Sequence, residues 1–369
     1  MTKRVLVTGG SGFLGGATIR ALSVTYPDWT LYDLDLRPPP SVPSALPATF
    51  LQGDITSPPS LSSAFATARP DIVLHTAGAV PNGQSRYHPS PAVRDWVRRV
   101  NVTGTQNVLA ACREHGVKVL VYTSSCTVIS DDVEHDYPLM KETLPTGRAT
   151  LVYGRSKAVA ESEVLKSNGS RDEGMLTCAL RPATVIGPGD NYGVIRTVRN
   201  LVPNWETAWV LGDGDNLYDF VYIDNVAQAH VLAVENLLRE GAEGSKSVAG
   251  KAVFVSNQQP VYFRDFMKAV WAQVDGHVPA FEMRVPAGVA WAIGAMAEVM
   301  GWISGREVAL SRGSVKDAIG IRYADHTRAR ELLGYRPKIG LPEAIRLACD
   351  DFKRQLREGS TPGKMDKTT

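Results

Sequence analysis

The chain is 369 residues long, 44% hydrophobic and 21% charged, and its 40 basic and 38 acidic side chains give a formal net charge of +2. These proportions are those of a folded globular protein with one large or two smaller domains, and they exclude an intrinsically disordered chain. The balanced charge, without a long run of one sign, excludes the basic surface on which nucleic-acid binding depends.

The cysteines and histidines indicate a reducing compartment and no metal. Four cysteines and seven histidines are scattered along the chain, without a C-x-x-C pair or the spacing of zinc ligands. We therefore predict reduced thiols in a cytoplasmic protein, with neither a disulfide framework nor a metal site. The N-terminus runs directly into a predicted strand, so no signal peptide is expected.

The first predicted elements are a strand at 4–7, a glycine-rich turn and a helix. The turn reads Thr8-Gly9-Gly10-Ser11-Gly12-Phe13-Leu14-Gly15-Gly16. Glycines allow a tight turn and a close approach to a pyrophosphate, whose charge is stabilised by free N–H groups at the helix N-terminus. A glycine turn alone is weak evidence, but a strand before it and a helix after it favour a dinucleotide-binding site.

Strand-like apolar runs alternate with helical patterns through the first half of the chain. Strands are predicted at 31–36, 72–75, 119–123 and 178–180, and helices at 61–68, 95–115 and 156–165. This alternation predicts right-handed crossovers and an α/β fold with a doubly wound, Rossmann-type parallel sheet.

From about residue 187 the alternation weakens, which predicts a smaller C-terminal substrate-binding lobe. The predicted parts are an NAD-binding Rossmann domain at 1–186 and 218–257, the substrate-binding lobe at 187–217 and 258–358, and a disordered tail at 359–369.

The end of the second strand predicts which nicotinamide cofactor is bound. A carboxylate about twenty residues beyond the glycine turn can accept hydrogen bonds from the adenosine ribose and would repel a 2′-phosphate. Asp35, at the strand end, is the preferred ribose ligand and Asp33 is the alternative, so NAD is expected rather than NADP. Arg37 is the feature that could instead pair with a 2′-phosphate. Asp54, after a third short strand, could accept from the adenine amino group.

A predicted helix begins near Tyr153 and carries Lys157 four residues later. Residues four apart share a helix face, so the phenol and the ammonium are expected side by side. A positive neighbour would lower the pKa of Tyr153 and make it a general acid/base. This spacing also arises by chance. It gains weight from Ser124 and Ser125, which follow the strand at 119–123, at the sheet edge where doubly wound folds bind ligands.

The segment at 285–303 is almost uncharged, with Glu298 as its one charged residue. It is too short and too interrupted by glycine to predict a membrane-spanning helix. Two interpretations stay open: a buried or pocket-lining helix, and a helix that lies on a bilayer or guards an apolar substrate pocket.

These motifs together resemble the extended short-chain dehydrogenase/reductase family. The residues that carry the resemblance are Thr8 to Gly15, Gly53-Asp54-Ile55, His75-Thr76-Ala77-Gly78, Asn101-Val102-Thr103-Gly104-Thr105, Ser124-Ser125 and Tyr153 with Lys157. Three later segments, at 180–190, 219–227 and 333–337, resemble its 3β-hydroxysteroid dehydrogenase branch. The motifs run from residue 4 to about residue 352, which is nearly the whole chain.

The resemblance implies a role for each matching residue. Ser125 would orient the carbinol, and Tyr153 would be the acid/base. Lys157 would bind the nicotinamide ribose and tune Tyr153, while Asn101 would support the active-site helix and its proton relay. The implied cofactor contacts are Gly9, Gly12, Phe13 and Leu14 at the pyrophosphate, and Asp54, Ile55 and Ala77 around the adenine and its ribose.

The implied reaction is NAD-dependent oxidation of the 3β-hydroxyl of a sterol or terpenoid, with loss of CO₂ where a 4α-carboxyl is present. The alternatives are the same oxidation without decarboxylation, a nucleotide-sugar epimerase or dehydratase, and a non-catalytic NAD-binding scaffold. The apolar segment at 285–303 fits a polycyclic hydrocarbon better than a nucleotide sugar. A lipophilic substrate is thus the expected partner. Homodimer formation and peripheral attachment to the endoplasmic reticulum membrane stay open.

Overall fold

The computed structural model describes residues 2–39, 46–81, 83–169, 174–190, 193–203, 206–241, 244–304 and 310–358. The tail predicted at 359–369 lies outside the described residues. The strands are β1 (Arg4–Thr8), β2 (Thr30–Asp35), β3 (Thr49–Gln52), β4 (Ile72–His75), β5 (Val119–Thr123), β6 (Tyr137–Met140), β7 (Leu176–Pro182), β8 (Thr184–Ile186), β9 (Trp209–Leu211), β10 (Leu217–Tyr218), β11 (Phe220–Tyr222), β12 (Ala252–Val255), β13 (Val261–Tyr262), β14 (Met283–Val285) and β15 (Arg322–Ala324).

The α-helices alternate with these strands in the first half of the chain and predominate in the second. They are α1 (Phe13–Thr25), α2 (Pro58–Ala68), α3 (Gln84–Tyr87), α4 (Pro91–Arg98), α5 (Gly104–Glu114), α6 (Thr127–Ser130), α7 (Val152–Lys166), α8 (Val194–Arg199), α9 (Ile223–Glu240), α10 (Phe263–Asp275), α11 (Ala287–Ser304), α12 (Arg312–Ile319), α13 (Thr327–Leu333) and α14 (Leu341–Arg357).

Seven strands form the central sheet, in the order β12-β7-β5-β4-β1-β2-β3. Each neighbouring pair in this sheet is parallel. The chain builds outward from β1 in one direction and then from β4 in the other, so the strand order reverses between these two strands. This reversal is the topological switch point at which open α/β sheets bind ligands. The predicted doubly wound α/β fold is confirmed.

Burial on both faces explains why the strands are continuously apolar. In β1, Val5 and Val7 belong to the core that includes residues of α1 and α9, whereas Leu6 belongs to the core that includes residues of α2 and α5. Successive side chains of a strand point to opposite faces. Helices therefore cover the sheet on both sides, as a parallel sheet requires.

The helix predicted at 95–115 exists, but its backbone is not uniform. Between α4 and α5 the hydrogen bonding changes to a π-helical turn at Arg99–Thr103. Such turns place one extra residue in a helix and are frequent at functional sites. Asn101, one of the predicted site residues, lies in this turn and is 1% exposed.

The C-terminal part of the chain adds small sheets and a third core. A four-stranded sheet has the order β13-β10-β15-β6, so β6 reaches across to pair with a strand that follows it by almost two hundred residues. Helices α10 and α14 contribute Trp271, Phe266 and Phe352 to a core that also contains Phe220 of β11. This packing joins α10 and α14 to β8 and β11 through a shared apolar core.

Helix α11 corresponds to the apolar segment predicted at 285–303. Ala290 and Gly294 are buried, and a Cβ on Gly294 would lie 2.8 Å from the carbonyl carbon of Ser311. Most other apolar side chains of the helix are exposed, namely Val289, Trp291, Ile293, Met296, Val299, Met300 and Ile303. Most of the described surface of the helix is therefore exposed rather than buried, and the interpretation of the segment as a pocket-lining helix stays a prediction. None of the helices within the described ranges has the length and hydropathy needed to cross a membrane.

A buried ion pair fastens α7 to the sheet. Arg181 of β7 contacts Glu161 of α7 with two hydrogen bonds, of 2.6 and 2.9 Å, and the two side chains are 4% and 3% exposed. The hydroxyl of Ser124 donates to the same carboxylate at 2.6 Å. Because α7 also carries Tyr153 and Lys157, this carboxylate orients the helix on which the predicted chemistry depends.

We expect Glu161→Ala to lower the free energy of unfolding by about 3–5 kcal/mol, because it leaves the Arg181 guanidinium buried without its counterion. Glu163→Ala is the matched control, since Glu163 is on the same helix and its pair with Lys166 at 3.7 Å is largely in solvent. That variant should change the free energy by about 0.5 kcal/mol or less. Equilibrium urea unfolding measures both, and equal losses would contradict the role given to Glu161.

Candidate active site

The glycine turn after β1 has the shape that a pyrophosphate requires. Gly9 has a φ of 73°, and a Cβ there would lie 2.8 Å from Ala77 Cα. Gly12 is the N-cap of α1 and offers no side-chain cap, and the first turn of the helix carries no acidic residue. The first N–H groups of α1, at Phe13 and Leu14, are therefore placed to bind an anion.

Helix α1 lies directly on this turn because Gly15 has no side chain. A Cβ on Gly15 would overlap the carbonyl oxygen of Gly9 and lie 2.7 Å from Gly10 Cα. The next residue, Gly16, is not restricted in this way, since the nearest atom to a Cβ there is 3.4 Å away. The turn and the helix N-terminus thus depend on Gly15 specifically.

Both carboxylates at the end of β2 lie beside the turn. Asp33 is 1% exposed and accepts a hydrogen bond of 2.6 Å from the Ser11 hydroxyl. Burial raises the pKa of Asp33 to about 6. Asp35 is the last residue of β2, is partly exposed, and accepts from the N–H of Leu36 at 2.7 Å. Asp33 is engaged with the turn itself, whereas Asp35 stands at the strand end, where the sequence places the ribose ligand.

The predicted adenine residues follow β3 and β4, at the same edge of the sheet. Asp54 accepts a hydrogen bond from the N–H of Thr56 at 2.7 Å. Ile55 packs tightly against α5, since a Cβ on Gly104 would lie 2.7 Å from Ile55 Cδ1. The N–H of Ala77 lies 3.4 Å from the Thr8 hydroxyl. The carboxyl ends of parallel strands therefore bring these residues to the edge that also carries the glycine turn.

Tyr153 lies in the first turn of α7, and Ser125 is among the groups that act on its hydroxyl. Burial raises the pKa of Tyr153 well above its ordinary value, and the charges of Asp131 and Cys126 act in the same direction. The neighbouring Ser125 hydroxyl and the charge of Arg86 oppose this increase in pKa. The prediction that a positive neighbour lowers this pKa is thus wrong for the structure, because burial outweighs the lowering contributions.

Lys157 is 3% exposed and points at the end of β5. Its Nζ donates to the carbonyl oxygen of Thr123 at 2.8 Å and lies 4.7 Å from the centroid of the Tyr122 ring. Burial lowers the pKa of Lys157 to about 7. The ammonium therefore loses its proton more easily than an ordinary lysine, which suits a group beside a site of proton transfer.

A neutral histidine, His230, contacts Thr123, the residue whose carbonyl accepts the hydrogen bond from Lys157. His230 Nδ1 lies 2.9 Å from the carbonyl oxygen of Val226, and its Nε2 lies 2.8 Å from the Thr123 hydroxyl. Because a carbonyl only accepts, Nδ1 carries the proton and Nε2 accepts from Thr123. Burial lowers the pKa of His230 to about 4, so the ring stays neutral.

Asn101 joins α7 to the loop after β4. Its Oδ1 accepts from the N–H of Ala79 at 2.7 Å. Its Nδ2 donates to the Ala79 carbonyl and to the Ser156 hydroxyl, each at 2.9 Å. Ser156 lies between Tyr153 and Lys157 on α7, so Asn101 contacts the segment that carries both.

The two serines after β5 have different surroundings. The Ser124 hydroxyl is buried against Glu161, whereas Ser125 is partly exposed and accepts from the N–H of Thr127 at 3.2 Å. Only Ser125 therefore presents its hydroxyl beside Tyr153. The structure brings Ser125, Tyr153, Lys157 and Asn101 together at the carboxyl end of β5.

A second buried histidine connects Asn101 to the glycine turn. His75 lies 2.7 Å from the Thr8 hydroxyl through Nδ1 and 3.0 Å from the Thr105 hydroxyl through Nε2. Thr105 donates to the Asn101 carbonyl at 2.7 Å, so His75 Nε2 is the donor to Thr105. Burial lowers the pKa of His75 to about 3, and the ring is neutral. The sequence resemblance includes His75 but indicates no such role.

Sequence analysis missed Asp131 and Arg86. The Asp131 side chain is fully buried, accepts from the N–H of Gly154 at 2.9 Å and pairs with Arg86 at 2.7 Å. The one available signal was Gly154 itself, since a glycine in the first turn of a helix indicates close packing. No group of three or more potential metal ligands occurs among the residues that the structure describes.

Comparison with known proteins places these features in context. The family model described as "3-beta hydroxysteroid dehydrogenase/isomerase family" matches residues 6–284. The chain is 34% identical over 351 residues to the decarboxylating sterol-4-alpha-carboxylate 3-dehydrogenase of Saccharomyces cerevisiae, an alignment that covers 92% of this chain and 95% of that protein. It is 31% identical to human short-chain dehydrogenase/reductase family 42E member 1, over 92% of this chain and 86% of that protein.

Solved structures show the same fold at lower identity. The chain matches the Thermus thermophilus UDP-glucose 4-epimerase complex with NAD with a TM-score of 0.68 and 24% identity, over 95% of this chain and 99% of that one. It matches a protein called gox2253 with a TM-score of 0.71 and 23% identity, over 96% and 99% of the two chains. At these identities the likeness extends to the fold alone.

We expect Gly15→Ala to abolish dinucleotide binding, because the new methyl group would separate α1 from the turn. Gly16→Ala, one residue away, should bind the dinucleotide as the unmodified chain does, since ordinary van der Waals space surrounds that position. Calorimetric titration with NAD on both folded variants measures the difference. A similar dissociation constant for the two variants would contradict a site at this turn.

Proposed function

The chain belongs to the 3-beta hydroxysteroid dehydrogenase/isomerase family and is an oxidoreductase, and from this premise we propose its substrate, cofactor and mechanism. The proposed reaction is NAD-dependent oxidation of the 3β-hydroxyl of a sterol or terpenoid, followed by loss of CO₂ where a 4α-carboxyl is present. The observation that carries the proposal is the placement of Ser125 and Tyr153 together at the carboxyl end of β5, beside the buried Lys157. The names of the sterol 4-carboxylate relatives support the substrate class.

The residues of the glycine turn fit NAD. Gly9 and Gly15 leave the space that a Cβ would fill, and the first turn of α1 has no side-chain cap of its own. Asp35 would hold the adenosine ribose, and Asp54, Ile55 and Ala77 would surround the adenine end. NAD, when bound, supplies the hydride acceptor and a positive charge on its nicotinamide ring.

Ser125 and Tyr153 then carry out the proton transfer. The Ser125 hydroxyl holds the carbinol oxygen, and the Tyr153 phenolate removes its proton as the C3 hydride leaves. Burial and Asp131 disfavour that phenolate, so positive charge in the assembled site is needed to form it. Lys157, held by the Thr123 carbonyl, contributes such charge and can pass a proton onward because its pKa is about 7.

Loss of the carboxyl group follows from the ketone. Oxidation at C3 makes a β-keto acid, in which the bond from C4 to the carboxyl carbon breaks and CO₂ departs. The electron pair moves into the C3 carbonyl as an enolate, which the hydroxyls of Ser125 and Tyr153 can stabilise by hydrogen bonding. Protonation at C4 completes the ketone, and this step uses no metal or second cofactor.

The exposed face of α11 supports a lipophilic substrate delivered from a membrane. Trp291, Met296, Met300 and Ile303 project outward and are between 41% and 73% exposed. An exposed apolar patch of this kind is typical of binding sites for lipids or proteins. We place the cofactor on the part formed by 1–186 and 218–257 and the substrate at the lobe formed by 187–217 and 258–358, with peripheral attachment to the endoplasmic reticulum membrane through α11. A nucleotide-sugar substrate fits this surface less well.

We expect purified enzyme and NAD to convert a 4α-carboxy-3β-hydroxysterol into a ketone that lacks CO₂ and two hydrogens, with one NADH formed per product. Mass spectrometry of the product and absorbance of NADH measure this. Tyr153→Phe is the control and should lower kcat by about 10²-fold or more, with little change in NAD affinity. A 3-ketone that keeps its carboxyl would indicate oxidation alone. Turnover of UDP-sugars without net NADH would indicate an epimerase.

We expect kcat/KM to be higher with NAD than with NADP, because carboxylates at the end of β2 repel a 2′-phosphate. Asp35→Ala should reduce this preference by about 10-fold or more, the size of a hydrogen bond to a charged group. Asp33→Ala is the matched comparison, two residues earlier on the same strand face. Steady-state kinetics with both cofactors measure each variant. If only Asp33→Ala changes the preference, Asp33 is the ribose ligand, and an unmodified enzyme that prefers NADP would contradict the proposal.

A further inference from the structure

The start of α7 is capped by a residue from another part of the chain. The N-cap of α7 is Leu151, whose side chain cannot accept a hydrogen bond. Asp131 takes this function, because its Oδ2 accepts from the N–H of Gly154 at 2.9 Å. Its backbone carbonyl also accepts from the N–H of Thr150 at 2.8 Å. The first turn of the helix that carries Tyr153 is therefore anchored to one aspartate.

This contact leaves no room for adjustment. A Cβ on Gly154 would overlap the Thr127 carbonyl oxygen and lie 2.5 Å from the Asp131 Cβ. The helix backbone thus rests directly on Asp131, and Tyr153 is the adjacent residue. A change in the position of Asp131 must be transmitted to the backbone of Tyr153.

Arg86 links Asp131 to the C-terminal part of the chain. Its Nη2 contacts Asp131 Oδ1 at 2.7 Å, and its Nε contacts Asp317 Oδ2 at 3.3 Å. Asp317 belongs to α12, accepts from the Tyr87 hydroxyl at 2.6 Å and pairs with Arg322. Helix α12 is also the helix on which α11 packs. One guanidinium therefore connects the substrate-binding lobe to the first turn of α7.

We propose that Asp317, Arg86 and Asp131 form an ionic chain through which the C-terminal lobe positions the acid/base tyrosine. The proposal rests on the proposed function, since it takes Tyr153 to be the acid/base. Asp131 and Arg86 are positioning residues, because they act through Gly154 and its neighbour. The catalytic geometry is then complete only when α12 is docked against Arg86.

The charges of Asp131 and Arg86 should change the pH dependence of the rate, which a purely structural contact would not do. The groups acting on the Tyr153 hydroxyl are Asp131, Cys126, Ser125 and Arg86, with Tyr122 of β5 and Lys157 of α7 nearby. Asp131 raises the pKa of Tyr153 and Arg86 lowers it. In the direction of oxidation the rate increases as Tyr153 ionises, so removing Asp131 should move the rising limb of the pH profile to lower pH. Removing Arg86 should move it to higher pH.

The test uses the full chain and the single variants Asp131→Asn, Arg86→Gln and Asp317→Asn. We expect each to lower kcat by about 10-fold or more, as misplacement of a general acid/base does, while the dissociation constant of NAD changes less than about twofold by that same reasoning. The rising limb of the pH–rate profile should shift to lower pH in Asp131→Asn and to higher pH in Arg86→Gln. In the double variant Asp131→Asn/Asp317→Asn, the fold-decrease in kcat should be smaller than the product of the two single decreases, because both substitutions break the same ionic chain.

Asp275→Asn is the matched control, since Asp275 pairs with Arg199 at 3.2 Å in the same half of the chain, outside this network. It should leave kcat and the pH profile unchanged. Asp317→Asn tests the connection to the C-terminal lobe even if Asp131→Asn does not fold, because Asp317 reaches Asp131 through Arg86 and leaves the Asp131–Gly154 contact in place. A folded Asp317→Asn variant with unchanged kcat, or losses that multiply in the double variant, would overturn the proposal.

Amide hydrogen exchange separates this proposal from the proposed function, because it needs no substrate. Exchange at the first turn of α7, residues 152–154, should accelerate in Asp131→Asn and in Asp317→Asn but not in Asp275→Asn. If the unmodified enzyme oxidises no sterol and exchange still accelerates, the proposed function fails while the structural connection stands. If sterols are oxidised and exchange is unchanged in Asp317→Asn, the proposed ionic chain is wrong while the proposed function stands.

Discussion

The reversal of strand order between β1 and β4 is the constraint on which the site depends. Parallel strands end at one edge of the sheet, and the reversal opens a crevice at that edge because the crossover helices leave in opposite directions. The glycine turn follows β1, Asp33 and Asp35 lie at the end of β2, and Ser125 follows β5. Residues far apart in sequence therefore converge without any need for long loops.

Much of this arrangement was predictable because it depends on local patterns. The apolar runs of β1, β4 and β5 and the glycine turn predict the doubly wound fold, and the short motifs resemble the family; both are confirmed. The Tyr153–Lys157 spacing predicts one helix face, and α7 places the two residues one turn apart. Each of these predictions uses residues a few positions apart, where periodicity and backbone preference act directly.

Other features could not be predicted because they depend on distance and burial. Arg86 is 45 residues from Asp131 and 231 from Asp317, and neither separation leaves a pattern in the sequence. The direction of the Tyr153 pKa was predicted from one neighbour, whereas burial decides it. The composition of α11 shows that the helix is apolar but not that, among its described side chains, a narrow stripe including Ala290 and Gly294 faces the protein.

The narrow attachment of α11 leaves most of its outward-facing positions free to vary in sequence. The helix is seated through small residues, so most of its apolar side chains contribute little to the free energy of folding. Substitutions among the outward-facing positions are therefore under weak selection for stability, in contrast to the fully packed strands of the central sheet. The surface that we propose to accept a lipid can therefore change while the sheet and the glycine turn remain unchanged. Changes on the outward face of this helix thus carry little risk to the fold.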